Sequence, residues 1–297
     1  MEKNNRLVYE SPVLYIYIDN YKSISFSYKG WIFSDEYDPK APFYPEYRIK
    51  MESKFISSLD ELHELALYGR ELAGLVSNLL PLVTYNSYYN PEGFDCCRTQ
   101  ITIDYKKPFK GWKSNFEKIY DFIERKGGSP YVVKINLHSV VNWTRIDNNP
   151  LSDLQKLIKN YGHLSEDMRY LLFLLNAAME SPDSNRYMIL GKALEIINSI
   201  YPLEKNKSDD RLEIIDYKLK EVFNGITIKE LIGWSNSKQE GRHYVLDKKK
   251  RIAHPQMTNQ EKEIYYICCI NLIVCIIRKS LGLEYDPLGF PEKVNDD

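Results

Sequence analysis

The sequence predicts an α+β domain over residues 1–149, an all-α helical domain over residues 150–285 and a loose tail over residues 286–297. In the first half, segments typical of strands alternate with segments typical of helices. The turn-favouring run Asp147–Pro150 ends that pattern. After it, strand signals almost vanish and helix-capping patterns recur. These three observations define the fold class and the domain boundary.

In the first domain, the predicted strands are rich in Tyr, Ile, Val and Phe, which favour the pleated backbone. They are Leu7–Tyr9, Val13–Ile18, Ser23–Phe33, Arg98–Tyr105 and Tyr131–Val141. Leucines at helical spacing predict a helix over Asp60–Leu80, with Pro81 as its end. A second helix is predicted over Trp112–Arg125. Three prolines in Ser34–Lys50 predict a loop there.

In the second domain, the capping-box pattern Ser/Thr-x-x-Glu/Gln begins at Ser152, Thr227 and Thr258. The predicted helices are 152–160, 165–180, 182–200, 209–223, 227–235 and 258–281. Leu171–Leu175 is apolar on every side of its helix, so that helix is expected to be central.

The bulk composition is that of an ordinary globular chain, with 43% hydrophobic and 27% charged residues among 297. A net charge of -1 excludes an overall basic field, so any contact with nucleic acid must come from a local patch. The longest apolar run, Ile264–Ile277, is too short to cross about 30 Å of hydrocarbon and is predicted to be a buried core helix. The polar start and five cysteines without a CxxC spacing predict a cytoplasmic protein with no membrane partner.

The densest cluster of candidate chemistry is the segment Lys248–His254, called the basic segment below. In it four consecutive cations precede a histidine, and Pro255 disfavours a helical backbone at His254. The helix predicted from Thr258 follows, and its N-terminus offers free amides to an anion. Imidazole exchanges protons near neutral pH. The cation run, the histidine and the helix N-terminus together predict a phosphate site. The alternative is that the cations form an ordinary solvated surface and His254 is an ordinary loop residue.

The run Lys249–Pro255 resembles the signature turn of HEPN domains, which are helical bundles with an Arg-x4–6-His motif. Arg186–Ile197 is similar to the family helix that carries an acidic residue, and Ile264–Leu281 stands where the family has its last helix. The resemblance covers about residues 151–283 and implies a HEPN-like helical bundle. Lys249 stands where the family has arginine, and a lysine does not grip phosphate with two parallel bonds as arginine does.

What the resemblance implies is RNA cleavage without metal or cofactor. His254 would transfer a proton to or from the ribose 2′-hydroxyl or the leaving oxygen, and Lys249 would stabilise charge on the phosphate. Glu195 would orient one of these cations. The further residues expected to contact substrate are Lys248, Lys250, Arg251, Arg242 and His243. The family also implies a homodimer, and a toxin would need an antitoxin or another defence-complex partner.

Three interpretations stay open. The chain is a HEPN-type ribonuclease of the toxin or defence class, an inactive module that binds RNA or a nucleotide, or a dimerisation component of a larger assembly. Lys249 favours the second, the inactive binding module.

Tyrosines in the first strands, such as Tyr9 and Tyr28, would stack bases if exposed, but tyrosine is also common in strands for packing alone. By architecture, the first domain is predicted to be a sensor or partner-binding module.

Overall fold

The computed structural model describes the ranges 6–11, 14–15, 17–41, 45–55, 59–84, 100–104, 145–146, 149–181, 183–204, 208–238 and 255–287. Contacts divide these residues into two compact units. The first holds the described residues up to Thr84 with residues 100–104 and 145–158, and the second holds those from Lys159 onward. The first unit contains an antiparallel sheet and the second consists of helices, which confirms an α+β part followed by a helical part.

The first unit is built on a sheet with the strand order β4-β5-β6-β1-β7, and β2 pairs with β6 beside this path. The strands are β1 (Arg6–Glu10), β2 (Leu14–Tyr15), β3 (Tyr17–Ile18), β4 (Ser25–Tyr28), β5 (Trp31–Asp38), β6 (Glu46–Glu52), β7 (Gln100–Asp104) and β8 (Arg145–Ile146). Every pairing in the sheet is antiparallel, whereas β3 and β8 form a separate parallel pair.

Two strand predictions are wrong at the β4–β5 hairpin and at β6. The segment predicted as one strand, Ser23–Phe33, turns at Lys29 and Gly30, whose φ angles of 47° and 82° suit a tight hairpin turn. The predicted loop Ser34–Lys50 contains most of β5 and the start of β6. The prolines of this segment favoured the prediction of a loop. Strand β6 nevertheless has the alternating burial of a strand, with Tyr47, Ile49 and Met51 buried.

Helix α1 (Leu59–Thr84) runs past Pro81, where the sequence pattern predicts its end. Proline removes one backbone hydrogen bond from a helix. Leu80 and Leu82 on either side of it are completely buried, and their burial offsets that loss. Proline therefore lies inside this helix because the surrounding core holds the chain in place.

The tyrosine of β1 belongs to the core. Tyr9 is 1% exposed, its hydroxyl donates to the Ala66 carbonyl of α1 at 3.2 Å, and its ring meets Trp31 edge-on with centroids 5.5 Å apart. Gly69 of α1 lies directly against both rings. Tyr9 therefore packs in the core and is not exposed for stacking on a base.

Asn149 fastens the start of helix α2 (Pro150–Asn160) to the sheet. Its side-chain oxygen accepts from the Leu151 amide at 2.8 Å and from the Tyr47 hydroxyl at 3.0 Å. Its amide nitrogen donates to the Lys22 carbonyl at 2.7 Å and to the Asp35 carboxylate. Asn149, not the predicted Ser152, therefore caps α2, and contacts group α2 through Ile158 with the first unit although the sequence divides the chain at 149.

The second unit consists of helices that follow the predicted order. They are a short 3-10 turn (Tyr161–His163), α3 (Glu166–Glu180), α4 (Asp183–Ile200), α5 (Arg211–Ile215), α6 (Leu219–Phe223), α7 (Ile228–Ser237) and α8 (Asn259–Ser280). The predicted helix 209–223 is instead two short helices, because the backbone is extended at Asp216.

Helices α3, α4, α7 and α8 form the body of the second unit. Helix α3 packs along α4, both contact α8, and α7 packs on α4. Capping boxes are present at Thr227 and Thr258 as predicted, and Ser165 caps α3. Every residue from Cys268 to Arg278 is buried, so α8 is the central helix; α3, which was predicted to be central, exposes Phe173 to solvent. Within the described ranges, no helix is long and apolar enough to cross a membrane.

Replacing Gly69 with alanine is expected to lower the free energy of unfolding by about 1–3 kcal/mol. The added Cβ would lie 2.5 Å from Trp31 Cη2 and 2.8 Å from Tyr9 Cε2, so the aromatic pair must move. Urea denaturation measures the change.

Gly74→Ala is the matched control in the same helix, because nothing lies within 4 Å of its added Cβ. Alanine favours helix over glycine, so this variant should gain about 0.5–1 kcal/mol. Equal effects of the two substitutions would contradict the packing of α1 on the sheet.

Candidate functional site

The predicted site residues divide between those outside and those inside the part of the chain that the structure describes. Outside lie Lys248, Lys249, Lys250, Arg251, His254, Arg242 and His243, all within residues 239–254. Glu195 lies inside, exposed on α4. The structure therefore describes the residues on either side of the basic segment, up to Lys238 and from Pro255 onward.

An ion pair joins those two ends. Lys238 follows the last residue of α7, and Glu261 lies in the first turn of α8. The Lys238 Nζ and the Glu261 Oε1 are 2.9 Å apart, with 18% and 26% of the respective side chains exposed. The chain thus leaves α7 and enters α8 at one place, with Pro255 exposed just before α8.

Glu261 also caps the helix that it begins. Its second oxygen accepts from the Thr258 amide at 2.8 Å, and the Thr258 hydroxyl accepts from the Glu261 amide at 3.1 Å. The bonds from the Lys238 ammonium and from the Thr258 backbone hold the pKa of Glu261 below its usual value. Glu261 is therefore a carboxylate at neutral pH. Its side chain both caps α8 and pairs with Lys238.

A buried charge network fixes the other end of α7. Asp209 and Arg211 form a bidentate pair with both bonds at 2.7 Å, and the side chains are 3% and 2% exposed. Asp209 also accepts from the Lys229 amide in the first turn of α7 at 2.7 Å, and Arg211 donates to Asn198 of α4. Burial alone would raise the pKa of Asp209, but the bonds from Arg211 and Lys229 lower it below its usual value.

Helices α4, α7 and α8 meet closely near Glu195. Gly191 of α4 allows this approach, because a Cβ there would overlap the Ser235 hydroxyl of α7 and touch the Tyr265 hydroxyl of α8. Burial raises the pKa of Tyr265 well above its usual value, and the nearby Cys269 and Glu195 add to this effect. Among the described residues, no cation forms an ion pair with Glu195. Its predicted role toward the basic segment stays a prediction.

Arg186, in the helix that resembles the family's acidic helix, has a structural role. It is 1% exposed, and it donates to the Ala178 carbonyl at 3.1 Å and to the Ser181 carbonyl at 3.0 Å. These carbonyls end α3, so the guanidinium satisfies groups that a helix leaves unpaired. Its guanidinium carbon also lies 5.5 Å from the centroid of the Tyr266 ring of α8. Arg186 therefore ties the end of α3 to α4 and α8.

The cysteines of α8 do not act as nucleophiles at neutral pH. Burial raises the pKa of Cys268 and of Cys275 to about 12, and Cys269 is also buried with a raised pKa. A thiol in such surroundings stays protonated and unreactive. Over the described ranges, no group of three or more histidine, cysteine or acidic residues could hold a metal ion.

Sequence patterns alone did not identify Lys238 as part of this site. Thr258 and Glu261 were visible as a capping box, but the partner of the second Glu261 oxygen comes from another helix. A lysine just after a helix is common and carries no signal by itself. Only the packing of α7 and α8 against α4 brings Lys238 to this carboxylate.

No protein-family model, curated protein or solved structure matches this chain.

Replacing Asp209 with asparagine should lower the free energy of unfolding by about 3 kcal/mol, because Arg211 would keep a buried charge without its counter-ion. The control is Glu213→Gln, which breaks the more exposed pair with Lys220 and should change stability by about 0.5 kcal/mol or less. Chemical denaturation at neutral pH measures both. Similar losses in the two variants would contradict the buried network.

The Asp209 contribution should also depend on pH with a defined sign. Since its folded pKa is lowered, the stabilisation is complete above the usual value of 3.8 and is lost as the pH falls through the folded pKa. The difference in the free energy of unfolding between the wild type and Asp209→Asn should therefore become smaller as the pH falls below 3.8. A gap that stays constant with pH would show that the charge of Asp209 does not stabilise the fold.

Proposed function

We propose that the second unit is a HEPN-type ribonuclease that cleaves RNA without a metal ion, and that the protein acts as a toxin or defence effector. One observation carries the proposal. The segment with four cations and His254 connects α7 to α8, whose ends are joined by the Lys238–Glu261 pair at the start of the central helix. This arrangement supplies cations, an imidazole and a helix N-terminus from one short stretch of chain.

The proposed chemistry assigns one role to each group. His254 removes the proton of the ribose 2′-hydroxyl or gives a proton to the leaving oxygen. Lys249, assisted by Lys250 or Arg251, stabilises the charge that develops on the phosphate. Glu195 orients one of these cations; its exposure on α4 and the absence of a described ion-pair partner support this role. The remaining substrate contacts are Lys248, Arg242 and His243.

The proposal extends to partners. The active form is a homodimer whose site lies across the two-fold axis, as the family resemblance implies. A toxin of this kind requires a neutralising antitoxin or a defence complex that restrains it. The first unit then serves as the sensor or the partner-binding module.

A second function, RNA or nucleotide binding without catalysis, is favoured by a specific observation. Lys249 stands where the family has arginine. Lysine is a compact charge without the planar fork that holds two phosphate oxygens at once. Binding through the cation run would weaken steeply with salt, because each neutralised phosphate releases counter-ions. A purely structural docking role would show no such dependence.

His254→Ala is expected to abolish RNA cleavage in EDTA while leaving thermal unfolding unchanged. Wild-type protein should produce 2′,3′-cyclic phosphate ends from a mixed RNA pool, detected by mass spectrometry. The control is His163→Ala, since His163 is exposed on the 3-10 turn outside the basic segment. Equal cleavage by wild type and His254→Ala would refute the assignment. No cleavage by wild type, with salt-sensitive RNA binding, would establish the binding function instead.

Lys249 provides a test in both directions. Lys249→Arg restores the family residue and should increase cleavage about tenfold, because each stronger phosphate contact is worth about 1–2 kcal/mol. Lys249→Ala should decrease cleavage by a similar factor. Lys192→Ala, at an exposed cation of α4, is the control for general loss of charge. Unchanged rates in both Lys249 variants would remove this residue from the proposed site.

A further inference from the structure

We propose that a cavity in the second unit binds a small aliphatic diamine. The cavity has a volume of about 480 Å³ and is lined by residues of α5, of α6 and of the turn that leads into α7. This volume is in the range that small-molecule sites occupy. The described lining runs from Ser208 to Thr227, and the inference does not rest on the proposed function.

The carboxylate of Asp210, in the lining of this cavity, has no structural role within the described part of the chain. Asp210 is the N-cap residue of α5, a position at which a carboxylate commonly accepts from backbone amides. Its side chain makes no such capping bond, and it has no ion pair or side-chain hydrogen bond with any described residue. The negative charge of Asp210 is therefore available to a ligand.

Glu213 adds a second carboxylate to the lining, one helical turn after Asp210. Side chains three positions apart on a helix are neighbours, with Cβ atoms about 5–6 Å apart, so the two like charges repel each other. Lys220 of α6 pairs with Glu213, and its ammonium lies 5.7 Å from the centroid of the Tyr217 ring. One lysine thus compensates only one of these two carboxylates.

The charges of the lining favour a cation over an anion. The third lining carboxylate, Asp209, is held in its buried pair and stays there. The amides of Lys229 and Glu230 in the first turn of α7 would be the natural partners of an anion, but they already donate to Asp209 and Thr227. Asp210 therefore carries the unbalanced charge of the cavity, and that charge is negative.

The spacing of the two carboxylates sets the length of the ligand. Four methylene groups hold two ammonium nitrogens about 6 Å apart, which is close to the distance between the two carboxylate side chains. One ammonium would bind Asp210, and the other would compete with Lys220 for Glu213. Leu212 and Ile226 supply apolar lining for the methylene groups between them.

Isothermal titration of the full-length protein with putrescine at low ionic strength tests the site. Wild type should bind one molecule of putrescine, more tightly than n-butylamine, which has one ammonium group, and should not bind the neutral diol of the same length. Asp210→Asn and Glu213→Gln should each weaken putrescine binding by about two- to fivefold, as expected for loss of one exposed ion pair. Lys220→Met should tighten binding by a similar factor, because it leaves Glu213 free for the ligand.

Glu221→Gln is the matched control, because it removes an exposed carboxylate of α6 that is not part of the described lining. This variant should bind putrescine as wild type does, and melting temperatures check that every variant is folded. The proposal would be overturned by a wild type without saturable putrescine binding at millimolar concentration, by equal losses in Glu221→Gln and Asp210→Asn, or by weaker binding in Lys220→Met. Equal affinities for putrescine and n-butylamine would overturn the assignment of a diamine.

Discussion

The ion pair between Lys238 and Glu261 joins two helix ends that are separated in sequence by the basic segment. It depends on the packing of α7 and α8 against α4, and that packing depends on Gly191, where no side chain larger than hydrogen fits beside Ser235. One close approach between helices thus brings the end of α7 next to the start of α8.

Both units use the same physical solution to fix the start of a helix. In the first, the Asp35 carboxylate accepts bonds from Ser23, Ile24 and Asn149, and Asn149 caps α2. In the second, Asp209 is paired with Arg211 and accepts from the first turn of α7. A buried carboxylate is costly unless every oxygen has a partner, so these clusters specify one arrangement of the chain.

The chemistry expected of the basic segment depends on His254 and on lysine at position 249. In the proposed function, an imidazole beside a cation run suits proton transfer at a phosphate, and lysine in place of arginine would weaken contact with the phosphate without removing the charge. This difference would separate the proposed nuclease from the alternative binding module. In the described part of the N-terminal sheet, Tyr9 and Tyr47 pack inside, and Arg6 of β1 pairs with Glu52 of the neighbouring strand β6.

The sequence by itself determined the α+β and helical parts, the capping boxes at Thr227 and Thr258 and the buried character of α8, because these depend on residues within a few positions of one another. It also located the basic segment, and of the predicted site residues the described structure contains Glu195. Tertiary structure decided strand β6, the passage of α1 through Pro81 and the pairing of Lys238 with Glu261. Each of these depends on partners distant in the chain, which supply the burial or the counter-charge that outweighs the local preference.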